Sequence, residues 1–135
     1  MSKIELKARE FENLLVENFP KLYRDMRGDP SKTCMAWGCS VSNGWYDIIW
    51  ELSEKVEPLI GDTDICAAQV KEKFGTLRFY VNDYSNEEIN QLVQEAETKT
   101  NDTCEICGLE GSRRSGGWIV TLCDKHHDEH GEDDD

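Results

Sequence analysis

No stretch of this chain approaches the ~20 consecutive apolar residues that a membrane-spanning helix needs, and the polar opening MSKIELKARE carries no secretory-signal pattern. A membrane partner is thereby disfavoured, and a soluble, cytoplasmic protein is expected. Positive charge is also scarce: 15 Lys and Arg stand against 28 Asp and Glu, for a net charge of −13. The deficit is concentrated. Residues 82–102 carry Asp83, Glu87, Glu88, Glu95, Glu97 and Asp102 against Lys99, and residues 128–135 add six acids with no Lys or Arg. The rest is nearly neutral. Such a field repels nucleic-acid phosphate unless a local basic surface outweighs it, and it attracts basic partner surfaces. A solvated helix face and a solubilising tail account for the same pattern.

What the sequence does hold is a run of metal-ligand residues. Cys104 and Cys107 lie in CEICG, and Cys123 and His126 in TLCDKH. Two ligands separated by two residues form a knuckle that aims both at one point, and here that spacing occurs twice. Gly108 follows the first pair, where backbone amides must turn toward the thiolates. The expectation is one structural zinc ion, because four protein ligands close a tetrahedral shell and leave no position for water. His127 is adjacent to His126, so the identity of the fourth ligand stays open between them. Cys34, Cys39 and Cys66 remain outside the site. An odd remainder suits reduced thiols better than a disulfide framework.

CEICG and an LC-x-x-H-H-x-x-H tail also resemble the zinc frame of HNH-type endonucleases. That chemistry needs a histidine to activate water and a second His, Asn or Asp to hold the catalytic cation. Residues 108–122 read GLEGSRRSGGWIVTL and contain none of these. Only His127 and His130 are left, beyond the last metal pair. No catalytic residue is assigned, and a degenerate nuclease ranks below a binding protein.

Periodicity predicts an α+β fold with three helices and an antiparallel β-hairpin, followed by a zinc-ribbon-like module. Its division is a core domain at 1–102, a zinc-binding module at 103–127 and a disordered acidic tail at 128–135. The first helix, over 3–19, places Phe11, Leu14 and Leu15 on one stripe that Leu22 extends, and Pro20 ends or kinks it. A loop follows over 24–44. In GWYDIIWELSEKVEPLI, Trp45, Ile48, Ile49, Leu52, Val56 and Leu59 follow helical spacing, whereas Tyr46 and Trp50 lie on another face. A small domain seldom covers a second aromatic face, so Tyr46 and Trp50 are expected at an interface with a partner or a second copy; burial under the first helix or the Trp37 loop is the alternative. DICAAQVKEKFGTLRFYV reads as a hairpin turning near Phe74, Gly75 and Thr76. Alternation sets Cys66, Ala68 and Val70 with Leu77, Phe79 and Val81 on the core side, and Gln69, Lys71, Lys73, Arg78 and Tyr80 on the other. That second set is a basic and aromatic surface, either a binding face or one answered by the chain's own acidic helix. Ser85 and Glu88 form a capping box for a third helix ending near Lys99. Trp118, Val120 and Leu122 alternate as a short strand before the second ligand pair.

The segments GWYDIIWEL, QVKEKFGTLRFYV, CEICG and GGWIVTLCDKH, in this order, resemble a group of small, functionally uncharacterised proteins encoded by bacteriophages and prophage-bearing bacteria. The resemblance covers roughly residues 34–127. It implies a phage origin and a host bacterial cytoplasm, and it transfers no catalytic residue. The resulting expectation is a non-enzymatic protein that binds and modulates a host protein, as an inhibitor of host machinery or defence. Nucleic acid is the alternative partner: Arg113 and Arg114 stand in a Gly- and Ser-rich loop beside Trp118, where they would pair phosphate while the indole stacks on a base. Residues 103–127 hold as many acids as bases, which disfavours it.

Overall fold

The computed structural model describes residues 2–114 and 119–133, with side chains through residue 128. In chain order the elements are α1 (Ala8–Asn18), a 3₁₀ turn at Cys34–Trp37, β1 (Cys39–Ser40), a second 3₁₀ turn at Asn43–Trp45 and α2 (Tyr46–Ile60). Then come β2 (Ala67–Lys73), β3 (Thr76–Val81), α3 (Glu87–Thr100), β4 (Ser112–Arg114), β5 (Val120–Leu122) and α4 (Asp124–Asp133). Mixed α and β structure is as expected, with a fourth α-helix beyond the three anticipated. That helix covers residues 124–133, where the sequence suggested a tail from 128 onward.

Pro20 has the anticipated effect on α1. The residue before a proline is pushed out of helical geometry, and Phe19 caps the helix at φ −133°, ψ 63°. α2 is the central element. It buries Tyr46, Ile49, Leu52, Ser53, Val56 and Ile60, a set too wide for one stripe, because α1 covers one side and α3 with the sheet covers the other. The polar member of that set is satisfied: Ser53 Oγ bonds the Tyr23 hydroxyl at 2.6 Å and donates to Ile49 O at 2.7 Å.

The hairpin turns where the sequence placed it. Lys73 pairs with Thr76, and both intervening residues are left-handed, Phe74 at φ 55° and Gly75 at φ 79°, the geometry that matches strand twist in a two-residue loop. Two details differ from simple alternation. The register shifts between Ala67 and Gln69, so that Ala67 and Val70 are buried while Ala68 is only half-buried. A third strand, β1, joins β2 in parallel, Cys39 opposite Val70 and Ser40 opposite Lys71, within the stretch read as loop.

β3 forms an edge of this sheet, and α3 closes it with side chains. Thr100 Oγ1 accepts the Leu77 N–H at 3.0 Å, and Glu97 Oε2 accepts the Phe79 N–H at 2.8 Å. Unpaired edge amides invite association with another chain, and here they are occupied from within. Burial pushes the Glu97 carboxyl above its ordinary range, and the Phe79 N–H offsets part of that shift. The cap of α3 falls one residue later than the predicted capping box: Asn86 Oδ1 accepts the Ile89 N–H at 3.0 Å.

Residues 103–127 are joined to this body by hydrogen bonds at several points. Trp45 Nε1 donates to Thr103 O at 2.9 Å, and the Gly44 N–H donates to Glu105 O at 2.7 Å. Thr121 Oγ1 donates to Gly75 O, at the hairpin turn, at 2.5 Å. The module therefore rests on the start of α2 and on the tip of the hairpin, while keeping a small core of its own around Cys104, Val120, Leu122 and Cys123.

Candidate metal centre

Two local structures deliver the four donors. The first follows Thr103, which bridges Glu110 so that the chain returns on itself. Within that return the Gly108 N–H donates to Cys104 O at 2.9 Å and the Cys104 N–H to Leu109 O at 2.8 Å. Gly108 sits at φ 79°, a left-handed conformation that favours glycine, and a Cβ there would also fall 3.0 Å from the Gly44 carbonyl oxygen. The second structure is the β4–β5 hairpin, with Ser112 opposite Leu122 and Arg114 opposite Val120. It ends at Cys123, and the first turn of α4 brings His126 back beside it.

The Sγ atoms of Cys104, Cys107 and Cys123 and a ring nitrogen of His126 all lie within 4.8 Å of one another. Cys107 Sγ is 3.8 Å from Cys123 Sγ, and His126 Nδ1 is 3.1 Å from Cys123 Sγ and 3.6 Å from Cys104 Sγ. Metal–sulfur bonds of about 2.3 Å in a tetrahedron give sulfur–sulfur edges of about 3.8 Å, the separation of Cys107 Sγ and Cys123 Sγ. These four residues can hold a metal ion. The His126 backbone N–H lowers the neighbouring Cys123 thiol to about 7, toward the thiolate that a metal requires, whereas desolvation raises the Cys107 thiol.

The fourth ligand is resolved in favour of His126. His127 is not part of the donor cluster, and its buried Nδ1 meets no hydrogen-bond partner among the described residues. The His130 side chain lies outside the described residues.

Arg114 has a local task. Its guanidinium donates to Leu122 O at 3.2 and 3.3 Å and to Asp124 Oδ1 at 2.9 Å, fixing the backbone on either side of Cys123. Arg113 is exposed opposite Thr121. Trp118, which the sequence set beside these arginines, lies outside the described residues.

The aromatic pair on α2 corrects the interface expectation. Tyr46 is 2% exposed and stacks on Phe11 of α1 with ring centroids 4.0 Å apart and planes within 9°. Trp50 is half-buried, with its ring edge-on to Phe19 at 4.8 Å and the Lys3 ammonium 4.5 Å from its centroid. α1 covers both, because Phe11, Leu15 and Phe19 supply the apolar surface that this face of α2 needs. Lys71 and Arg78 stand directly opposite one another across β2 and β3, with Gln69 opposite Tyr80 and Lys73 opposite Thr76. The basic and aromatic set thus shares one sheet face, separate from the metal centre.

Sequence spacing could not find Gly44. A Cβ at this residue would meet Cys104 O at 2.1 Å, which places the start of α2 in direct backbone contact with the knuckle. A lone Asn-Gly in a loop signals a turn and nothing more.

No helix among the described residues is long and apolar enough to cross a membrane. Comparisons of the chain with protein-family models, with curated proteins and with solved structures gave no match.

Proposed function

We propose that this chain is a non-enzymatic binding protein, held in shape by one structural zinc ion, whose partner is a protein of a bacterial host. The observation that carries the reading is the donor set. Three sulfurs and one imidazole nitrogen gathered at one point suit zinc, and four protein ligands would leave no open position for water or substrate. The resemblance to small phage proteins directs the search for a partner to bacterial lysate, and the acidic balance of the chain disfavours nucleic acid.

The site positions a scaffold. Cys104 and Cys107 would hold the ion from the knuckle, Cys123 and His126 from the end of β5 and the start of α4, and the ion would lock the two against the body of the protein. The test is an affinity pull-down from bacterial lysate, with and without nuclease treatment, beside metal analysis of protein purified without added zinc. About one zinc per chain and a nuclease-resistant protein partner are the expected results. A partner lost on nuclease treatment would replace the protein reading with the nucleic-acid one, and a metal content below half an equivalent would remove the zinc.

A further inference from the structure

The outer face of the three-stranded sheet carries like charges on facing strands. Ser40, Lys71 and Arg78 align across β1, β2 and β3, and Gln69 with Tyr80 forms the neighbouring row. Like charges directly opposite in an antiparallel pair destabilise it. Lys71 and Arg78 are such a pair, with Lys73 two residues further along. No ion pair among the described residues involves any of the three, in a chain with 28 carboxylates to offer. The nearest helix brings Glu97 into the field of Arg78, yet one oxygen of that carboxylate accepts the Phe79 N–H and it forms no ion pair with the guanidinium. Glu72, between Lys71 and Lys73, alternates to the opposite face and accepts the Gly75 N–H. Tyr80 is 37% exposed on this face.

We propose that this sheet face is the docking surface, and that its occupant is an acidic, aromatic- or leucine-containing segment of a protein partner. Charge complementarity selects the occupant: three cations without carboxylate partners call for an external anion, and a planar guanidinium pairs a carboxylate through two parallel hydrogen bonds. Gln69 and Ser40 add neutral hydrogen-bonding groups, and the Tyr80 ring offers an apolar contact at the rim. A short acidic segment meets these cations at close range, whereas a long polyphosphate would also face the repulsion of the acidic surfaces elsewhere on the molecule. β3 is already bonded along its free edge by α3, so the segment is read by side chains on the face and not by strand addition.

This proposal rests on the reading of the chain as a protein-binding module, and its test separates the two. Fluorescence anisotropy would follow a fluorescein-labelled peptide of alternating Glu, Asp and Leu, and separately a labelled oligothymidylate, titrated with the full-length protein. The variants are Lys71→Glu, Lys71→Glu with Arg78→Glu, and Arg9→Glu as a control on exposed α1. Peptide binding that weakens at least tenfold in the double variant, is unchanged in Arg9→Glu and falls with added salt is the expected result. Lys71→Glu replaces a repulsive pair by an attractive one, so it should hold or raise the melting temperature while weakening the peptide. Loss of binding that tracks loss of folding, no binding of the peptide by the parent, or tighter binding of the oligothymidylate than of the peptide would each overturn the proposal. A lysate partner retained equally by parent and double variant would overturn this face alone, leaving the protein-binding reading in place.

Discussion

Gly44 and Cys104 are in backbone contact: the Gly44 N–H bonds the carbonyl of Glu105 at 2.7 Å, and a Cβ at Gly44 would lie 2.1 Å from the Cys104 carbonyl oxygen. Through this contact the cysteine knuckle is built onto the 3₁₀ turn that leads into α2, beside the Trp45 indole that donates to Thr103 O. Gly44→Ala forces a side chain into backbone that cannot swing aside. A loss on the order of 1–3 kcal/mol is expected, as for overpacking in a filled core. Urea unfolding monitored by Trp fluorescence would measure it, with zinc retention assayed on the same variant. Parent-like stability would show that the knuckle can shift without cost.

Metal removal should act locally first. The knuckle and the β4–β5 hairpin have a small core, around Val120, Leu122 and the cysteines, and a small metal site draws most of its folding free energy from the ion. In Cys107→Ser or chelator-treated protein, amide exchange should become fast at Cys104, Glu105 and Gly108. The amides of Ile89, Val93 and Ala96 should stay protected, because their side chains belong to the main core. Global unfolding on chelation would instead mean that the module supports the whole chain.

The pH dependence of metal retention follows from ligand protonation. Binding needs thiolates, so the ion is held better at high pH and released as pH falls. Cys123, at about 7, is the thiol that gives up its proton most readily of the pair it forms with the raised Cys107. A chelating indicator read from about pH 8 down to about pH 5 should show release increasing throughout. Retention independent of pH would argue against thiolate ligation.

Much of this architecture was legible in local pattern. The proline after Phe19 and the turn at Phe74 and Gly75 act through the conformation of one or two residues, and the apolar spacing of α2 repeats within a single element, so sequence alone can place them. The paired Cys spacing located the metal donors for the same reason. What escaped prediction depends on partners far away in sequence. β1 is two residues long and carries no periodic signal; it exists because β2 offers an edge. The bulge at Ala67 and Gln69 exchanged Ala68 for Ala67 in the core, a shift that strict alternation cannot foresee. One apolar stripe on α2 leaves Tyr46 and Trp50 open between an interface and burial, because the number of faces a helix buries is set by the elements around it.

For that aromatic pair the expectation is now one of stability. Tyr46→Ala removes a ring stacked on Phe11 and should cost on the order of 3–5 kcal/mol, while Trp50→Ala, half-exposed and under Lys3, should cost less. Denaturant unfolding of the two single variants would check the order. A Trp50→Ala loss equal to or larger than that of Tyr46→Ala would contradict the burial.

The three cysteines outside the metal centre should differ widely in reactivity, and their environments set the order. The thiolate is the reacting species, so exposure favours labelling, while burial and neighbouring anions suppress it. Cys34 is exposed on the 3₁₀ turn. Cys66 is buried, and its Sγ donates to Asp25 Oδ2 at 3.4 Å; desolvation first, then the Asp25 carboxylate that prefers the protonated thiol, push it up to about 11. Cys39 is raised further, by burial and by the Glu12 carboxylate, whose Oε2 accepts the Cys39 N–H at 2.9 Å. Native protein treated with a maleimide at neutral pH and read by mass spectrometry should therefore gain a label at Cys34 first. Chelation should then expose Cys104, Cys107 and Cys123 together, because one ion protects all three. Cys66 and Cys39, both buried in the folded chain, should label last. Labelling of Cys39 or Cys66 before the metal ligands would mean that the sheet side of the core opens more easily than the metal module.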